Sequence, residues 1–459
     1  MKIFRVTLTL LLLAVLLLTA VSAVSAATEV RLMVAGLTRE TRPTWETIAA
    51  EYMALNPDVR IVVESLPTGA ELYAGLTAQF LSGDPGDIMQ NWPQRGNTVD
   101  LDEETILVLD EYLDWPNPYT GKIWGEGFYP GIIQANRAPS GEYMVFQIYT
   151  TRGGIFMYNV DLFAELGLKT PTNWEDFIQT LEDLQAAGKT PLAINDVVGT
   201  WDVFHRMILS QLWWDWVQEA NVNQDFTVSL EEATRAFLTG LVDLDNPRFD
   251  QIFRLHKQAY EYAMDGWTAA GADDVYRTFV EGDTGIMFGG LGNLRSLYED
   301  ELLDFEVAVF DFPIITEPTS PYGSGQAFSM GAYGTSMAVS SHVQTKGILD
   351  EVMDVVFFLQ NPDVVRLFAE NHWVLPAGPG VDLPPPLDGF RDPDPSYQAA
   401  YGQLSNWYWG DSALMDFVYK NHQLYLRDLM TLEELKALIE PMFMQAYRRI
   451  AADNGWDIE

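Results

Sequence analysis

Residues 144–177 read MVFQIYTTRGGIFMYNVDLFAELGLKTPTNWEDF, and this stretch indicates the fold class. The apolar run 154–158 predicts a strand, and residues 161–166 predict a helix that Gly167 ends. A second helix is predicted by four apolar residues at helical spacing: Trp174, Phe177, Leu181 and Leu184. Most of the aromatic residues, Trp174 included, are expected in the core. Alternating strands and helices are typical of an α/β fold.

The same alternation begins near residue 30. Residues 30–36 and 59–63 predict two strands, and the segment between them has apolar residues at helical spacing until Pro57 stops the helix. A β-α-β unit of this kind has parallel strands. Further on, residues 432–453 predict a long amphipathic helix, whereas the proline-rich segment 376–395 predicts an irregular loop.

The composition narrows the classes of function. The chain has 459 residues and no Cys, and its 65 acidic and 27 basic residues give a net charge of −38. At about 150 residues per domain, the length allows two or three domains. So acidic a chain is a poor partner for nucleic acid, because binding requires basic residues against the phosphates. Without Cys there are no disulfides, thiolate metal sites or thiol nucleophiles.

The N-terminus predicts export. Lys2 and Arg5 precede the apolar run 8–18, and small residues follow at 24–27, so residues 1–26 are expected to be a signal peptide. Its removal leaves 65 acidic and 27 − 2 = 25 basic residues, a charge of −40. We therefore expect a periplasmic or extracellular protein that is not an N-terminal Cys lipoprotein and does not insert into a membrane.

Motifs for catalysis or cofactors are weak. The five His residues do not form a His-x-x-x-His pair, so no metal site is predicted. The glycine clusters at 289–292 and 323–325 lack the pattern of a phosphate loop, and no Gly-x-Ser-x-Gly elbow is present. No cofactor is expected. A glycosidase pair of carboxylates stays open as an alternative, because such a pair is defined by its separation in space.

Several motifs, in order along the chain, resemble the family 1 extracellular solute-binding proteins of ABC importers, which are similar to maltose-binding protein. They are GDPGDI at 83–88, LDEYL at 109–113, MVFQIYT at 144–150, FMYNVDLF at 156–163, PTNWEDF at 171–177, FVEGDTGI at 279–286, FFL at 357–359 and VLPA at 374–377. The chain departs from the family at Ile148, where Pro is usual, and at Gly292, where Trp is frequent.

The resemblance implies a two-lobed periplasmic-binding-protein fold of type II, with a mixed sheet flanked by helices in each lobe and a ligand cleft between the lobes. It implies that residues 28–147 and 288–340 form lobe 1, and residues 148–287 and 341–459 form lobe 2, with crossings near Gln147, Phe288 and Ser340. The expected protein is a monomeric receptor, not an enzyme. It would capture a mono- or oligosaccharide by hinge closure and deliver it to ABC permease subunits.

Candidate ligand-binding residues lie where strands end, because ligands of open α/β sheets bind beyond the carboxyl ends of strands. They are Arg39, Glu40, Asn91, Trp92, Tyr149, Trp201, Gly289, Gly290, Asn293 and Trp373. Their aromatic rings suit the apolar faces of sugars and their polar groups suit the hydroxyls. Trp201 is included because the family often stacks its ligand near that place. The alternatives are a secreted glycoside hydrolase, or the same fold binding a polyol or a glycerophosphodiester.

Overall fold

The computed structural model describes residues 27–67, 70–90, 105–137, 141–222, 228–329, 334–385, 387, 390, 398–399 and 412–458. The predicted signal peptide, 1–26, lies outside the described residues, as do the candidates Asn91 and Trp92. No helix within the described ranges is long and apolar enough to cross a membrane.

Strands and helices alternate along most of the chain. The strands are β1 (Thr28–Ala35), β2 (Val59–Leu66), β3 (Ile88–Gln90), β4 (Val145–Thr150), β5 (Gly153–Asn159), β6 (Thr190–Ala193), β7 (Thr284–Gly290), β8 (Val307–Phe310), β9 (Phe328–Ser329), β10 (Gly334–Val339), β11 (Leu375–Pro376) and β12 (Gln398–Ala399). The helices are α1 (Arg42–Leu55), α2 (Ala70–Ser82), α3 (Pro130–Ala135), α4 (Val160–Leu166), α5 (Trp174–Ala186), α6 (Val198–Leu212), α7 (Trp214–Ala220), α8 (Leu230–Leu238), α9 (Pro247–Tyr260), α10 (Ala272–Val280), α11 (Leu291–Glu299), α12 (His342–Lys346), α13 (Leu349–Leu359), α14 (Pro362–His372), α15 (Ser412–Leu426) and α16 (Leu432–Asn454).

The first sheet has the order β11-β4-β10-β3-β1-β2. β1 pairs in parallel with both β2 and β3, whereas β10 runs antiparallel to β3 and β4. The predicted β-α-β unit is confirmed, because α1 connects the parallel strands β1 and β2. α1 buries Trp45, whose ring meets Phe368 of α14 at 4.7 Å between centroids. Helices α1, α13 and α14 thus share one apolar cluster with this sheet.

The second sheet has the order β6-β7-β5-β8, with β6 and β7 parallel and the other pairs antiparallel. The predicted apolar stripe of α5 is buried, and the four residues on it are at most 1% exposed. They join a large cluster that also includes α6, α9, α15 and α16. The predicted α/β class, with two mixed sheets flanked by helices, is confirmed.

The strands pass from the first sheet to the second between β4 and β5 and return to the first sheet between β8 and β10. One change lies between β4 and β5, near the predicted crossing at Gln147. No change occurs near Phe288, because β7 continues to Gly290 and β8 then pairs with β5. After β10, the apolar faces of α13 and α14 keep residues 349–372 against the first sheet. The assignment of chain segments to the two lobes stays a prediction.

Candidate functional site

A cleft of about 430 Å³ opens between helices that pack on the first sheet and a helix that packs on the second sheet. On one side lie α1 and the end of α14, which pack on the first sheet. On the other side lies α11, which buries Leu291, Leu294 and Leu297 in a cluster that covers the second sheet. The residues that line the cleft are Glu40, Pro43, Thr44, Thr47, Arg295, Glu299, Glu370, Asn371 and Trp373. Of the predicted site residues, Glu40 and Trp373 are brought together here.

Trp373 is placed by the end of α14. It is the residue after the last turn, with φ of 56° in the left-handed region, and its N–H donates to the carbonyl of Ala369 at 3.1 Å. Few residues other than Gly adopt this conformation, so the backbone there is strained. The half-buried indole lies against Tyr298 of α11 at 5.1 Å between centroids. The ring therefore bridges the two sides of the cleft.

The cleft lining carries three carboxylates and one guanidinium. Arg295 pairs with Glu299 on its own helix at 2.8 Å between Nε and Oε1. The Thr38 side chain lowers the pKa of Glu40, and Arg295 adds a smaller effect from across the cleft. Burial lowers the pKa of His372 to about 4, again with a contribution from Arg295. At neutral pH, His372 is therefore uncharged and adds no positive charge near the cleft. The three carboxylates and one guanidinium of the lining leave an excess of negative charge.

Gly289, Gly290 and Asn293 are held together at the junction of β7 and α11. The N–H of Gly290 donates to Oδ1 of Asn293 at 3.0 Å, which caps the helix. A Cβ atom on Gly289 would lie 2.5 Å from that same oxygen, so a larger residue would displace the cap. Asn293 thus has a structural role at the start of the helix that carries Arg295 into the cleft.

Tyr149 and Arg39 lie close to the cleft in different ways. Tyr149, half-buried at the end of β4, packs on Phe368 and His372, so it supports α14 behind the lining. Arg39 is exposed in the turn after β1, next to Glu40. Neither residue is part of the cleft lining.

Trp201 lies in the core instead of the cleft. It is 1% exposed, its ring stacks on His205 at 5.0 Å, and its indole N–H donates to Nδ1 of His422 at 2.6 Å. The physical reason is that the apolar face of α6 turns inward against α9 and α15. The candidates Asn91 and Trp92, which follow β3, are outside the described residues.

Asn195 and Asp196 are polar residues that the sequence-based selection left out. β6 and β7 are parallel with Ala193 opposite Met287, so residues 195 and 196 lie at the same sheet edge as Gly289 and Gly290. Burial raises the pKa of Asp196 to about 7, although Gln423 opposes this shift. Oδ1 of each residue is buried and has no hydrogen-bond partner among the described residues. Their place after a strand is the same signal that selected the glycines.

The other missed residues are on helices. Thr44, Thr47, Arg295, Glu299, Glu370 and Asn371 line the cleft without following a strand directly. Helical periodicity marks them only as polar positions, and such positions are usually solvated. Their meeting depends on how the two sheets are placed relative to each other, which local sequence patterns do not contain.

A protein family matches most of this chain, and a relative of known name matches part of it. Residues 35–366 match the family described as bacterial extracellular solute-binding protein. A multiple sugar-binding protein of Streptococcus mutans is 26% identical over 179 residues, which is 37% of this chain and 38% of that protein. That alignment therefore spans well under half of the relative.

Two solved structures share the fold. The apo form of RafE from Streptococcus pneumoniae superposes with a TM-score of 0.66 at 20% identity and covers 92% of this chain and 99% of its own. A complex of RafE with raffinose gives a TM-score of 0.58 at 19% identity, covering 90% and 100%. The matched family and these neighbours are binding proteins rather than enzymes. With a family match that covers well over half of its length, this chain belongs to the bacterial extracellular solute-binding protein family.

Proposed function

We propose that this chain is an exported receptor that binds a neutral mono- or oligosaccharide in the cleft and delivers it to an ABC permease. The observation that carries this proposal is the chemistry of the lining, where the Trp373 ring lies beside carboxylates, hydroxyls and a guanidinium. Sugars have apolar C–H faces that pack on aromatic rings, and their hydroxyls donate to carboxylates and accept from arginine.

The relatives support the same class of ligand. One is named a multiple sugar-binding protein, and RafE has been solved with raffinose. The predicted signal peptide supports export, which a receptor for scavenged solutes requires. The proposed protein works as a monomer and needs no cofactor. It makes no covalent change to the ligand, because hinge closure alone signals to the permease that the cleft is filled.

The charge of the cleft separates a neutral ligand from a phosphorylated one. Three of the nine lining residues are glutamates and one is an arginine, which itself pairs with Glu299. A glycerophosphodiester would add negative charge to this surface without a cluster of basic groups to receive it. We therefore place neutral sugars ahead of anionic ligands, and a polyol is the remaining neutral alternative.

A thermal-shift screen of the purified mature chain tests the proposal. The panel holds mono- and oligosaccharides, polyols and glycerophosphodiesters, and each mixture is also assayed for released reducing ends. The expected result is a raised melting temperature with one group of neutral sugars and no hydrolysis. Stabilisation by polyols alone or by glycerophosphodiesters alone contradicts the ligand class, and released reducing ends contradict the receptor.

A further inference from the structure

Three histidines that are far apart in sequence meet among the helices that pack against the second sheet. His205 lies on α6, His256 on α9 and His422 on α15. All three are at most 1% exposed, and ring nitrogens able to hold a metal lie within 4.8 Å of one another. His342 and His372 lie on α12 and α14 and take no part in this cluster.

The spacing of two of these histidines fits ligands of one ion better than it fits a hydrogen bond. Nδ1 of His205 and Nδ1 of His256 are 3.5 Å apart. This is longer than the usual hydrogen bond of roughly 2.7 to 3.2 Å. Two imidazole nitrogens at about 2.0 to 2.1 Å from a tetrahedral ion are separated by about 3.3 Å, which is close to the observed distance.

The cluster also leaves buried polar atoms unsatisfied. Nε2 of His256 and Nε2 of His422 are buried and have no hydrogen-bond partner among the described residues. A buried polar group without a partner is unfavourable, so such groups in a native interior call for an explanation. An ion held by Nδ1 of His205, Nδ1 of His256 and Nε2 of His422 would use the unpartnered nitrogen of His422, and Nε2 of His256 would carry the proton of that ring.

We propose that His205, His256 and His422 form a buried site for a late first-row transition-metal ion such as Zn²⁺. Three imidazoles with water as the fourth ligand are an established ligand set for this class of ion. The ion would tie α15 to α6 and α9 in the core, because each helix supplies one ligand.

The surroundings favour neutral imidazoles, the form that binds metal. Burial lowers the pKa of all three histidines. Arg206, whose charge adds to the lowering of the pKa of His205, is paired with Asp202 at 2.7 Å between Nε and Oδ1.

Trp201 couples to the site through His422. Its N–H donates to Nδ1 of that ring, which places the ring proton of the neutral His422 on Nε2. Ligation through Nε2 moves this proton to Nδ1, and the Trp201 hydrogen bond is then lost. Metal binding should therefore change the fluorescence of Trp201.

The test uses the full mature chain. Because the site is enclosed, the chain is unfolded in chelator to remove metal and is then refolded with or without Zn²⁺. After gel filtration we expect one zinc per chain and a higher melting temperature. The Co²⁺ form should show the visible absorption of tetrahedral coordination. Binding should change tryptophan emission in the wild type and less so in Trp201→Phe.

Variants separate this site from adventitious binding. His256→Gln and His422→Gln should lower zinc affinity at least tenfold, whereas His342→Gln, on another helix, should retain one zinc. A wild type that retains no zinc, or ligand variants that retain it fully, would overturn the proposal. Should the variants fail to fold, X-ray absorption of the zinc-loaded wild type decides, with three imidazole nitrogens expected and a coordination shell of oxygen ligands alone contradicting the site. Sugar binding is not part of these readouts, so the two proposals fail independently.

Discussion

At the scale of single residues, Trp373 combines a strained backbone with a ring in the cleft. Its φ of 56° is rare for a residue with a side chain, and Gly is the residue that adopts it without cost. A function that needs the ring explains why the chain retains Trp there. Trp115 offers a comparison, because it is 45% exposed and packs on Tyr112 away from the cleft.

Removal of the Trp373 ring should weaken ligand binding. For Trp373→Ala we expect sugar affinity to fall roughly 10- to 100-fold, as for a central aromatic anchor. Trp373→Gly should bind as weakly but unfold at a higher temperature than Trp373→Ala, since Gly tolerates the left-handed backbone. Isothermal titration calorimetry measures the affinities, with Trp115→Ala as the control. Unchanged affinity in both Trp373 variants would remove this residue from the site.

Asp196 should make stability depend on pH. Burial raises its pKa to about 7 from an ordinary value of 3.8, so the folded state binds more protons than the unfolded state between these values. The free energy of unfolding therefore falls as pH rises through this window, by up to about 4 kcal/mol. Asp196→Asn should remove that loss, and its stability relative to wild type should increase from pH 4 to pH 7 in urea unfolding.

Asp215 provides a control, because its pKa is shifted in the opposite direction from that of Asp196. Burial alone would raise the pKa of Asp215, but the hydrogen bonds and charge of Arg248 together with backbone N–H donors outweigh it and lower the pKa. The stability it contributes is complete above its ordinary pKa and is lost only as pH falls below it. Asp215→Asn should thus be destabilised by a constant amount between pH 5 and pH 8. A difference between Asp196→Asn and wild type that does not change with pH would contradict the assignment.

At the scale of elements, two glycines in neighbouring elements differ in how much space surrounds them. A Cβ atom on Gly285, in β7, would lie 2.4 Å from a methyl carbon of Leu184 in α5. Gly292, in the first turn of α11, has open space where its Cβ would lie. The first glycine is required for close contact between helix and sheet, and the second is not.

These glycines should therefore respond differently to substitution by Ala. Gly285→Ala should lower the free energy of unfolding by about 1 to 3 kcal/mol, because it overfills a packed interface. Gly292→Ala should be neutral or raise it by up to about 1 kcal/mol, because Ala favours the helix. Chemical denaturation measures both, and equal effects in the two variants would contradict the packing described for β7.

Elements with strong local patterns were predictable, and contacts between distant elements were not. The stripe of Trp174 and Phe177 specified α5 because helical periodicity is local. The resemblance to the family selected Trp201 for the site, but it could not show that the ring turns inward toward His422. His205 and His256 are 51 residues apart, so only the packing of α6 on α9 brings them together.

At the scale of the whole molecule, the resemblance to the family implied a mixed sheet in each of two lobes, and the structure has two mixed sheets flanked by helices. Local patterns give strands, whereas the choice of sheet for β8 depends on pairing with β5. The cleft likewise arises from the relative placement of the sheets, with Glu40 on one side and Arg295 on the other. The distance between these two charges, and therefore the energy of their interaction, changes when the cleft opens or closes.

Closure of the lobes around a neutral sugar would make the molecule more compact, and small-angle X-ray scattering measures that change. The purified chain is compared with and without a saturating concentration of the sugar that stabilises it most in the thermal screen. We expect a smaller radius of gyration in the bound state, because a ligand that contacts both lobes favours the closed form. Saturated binding with an unchanged scattering curve would contradict it.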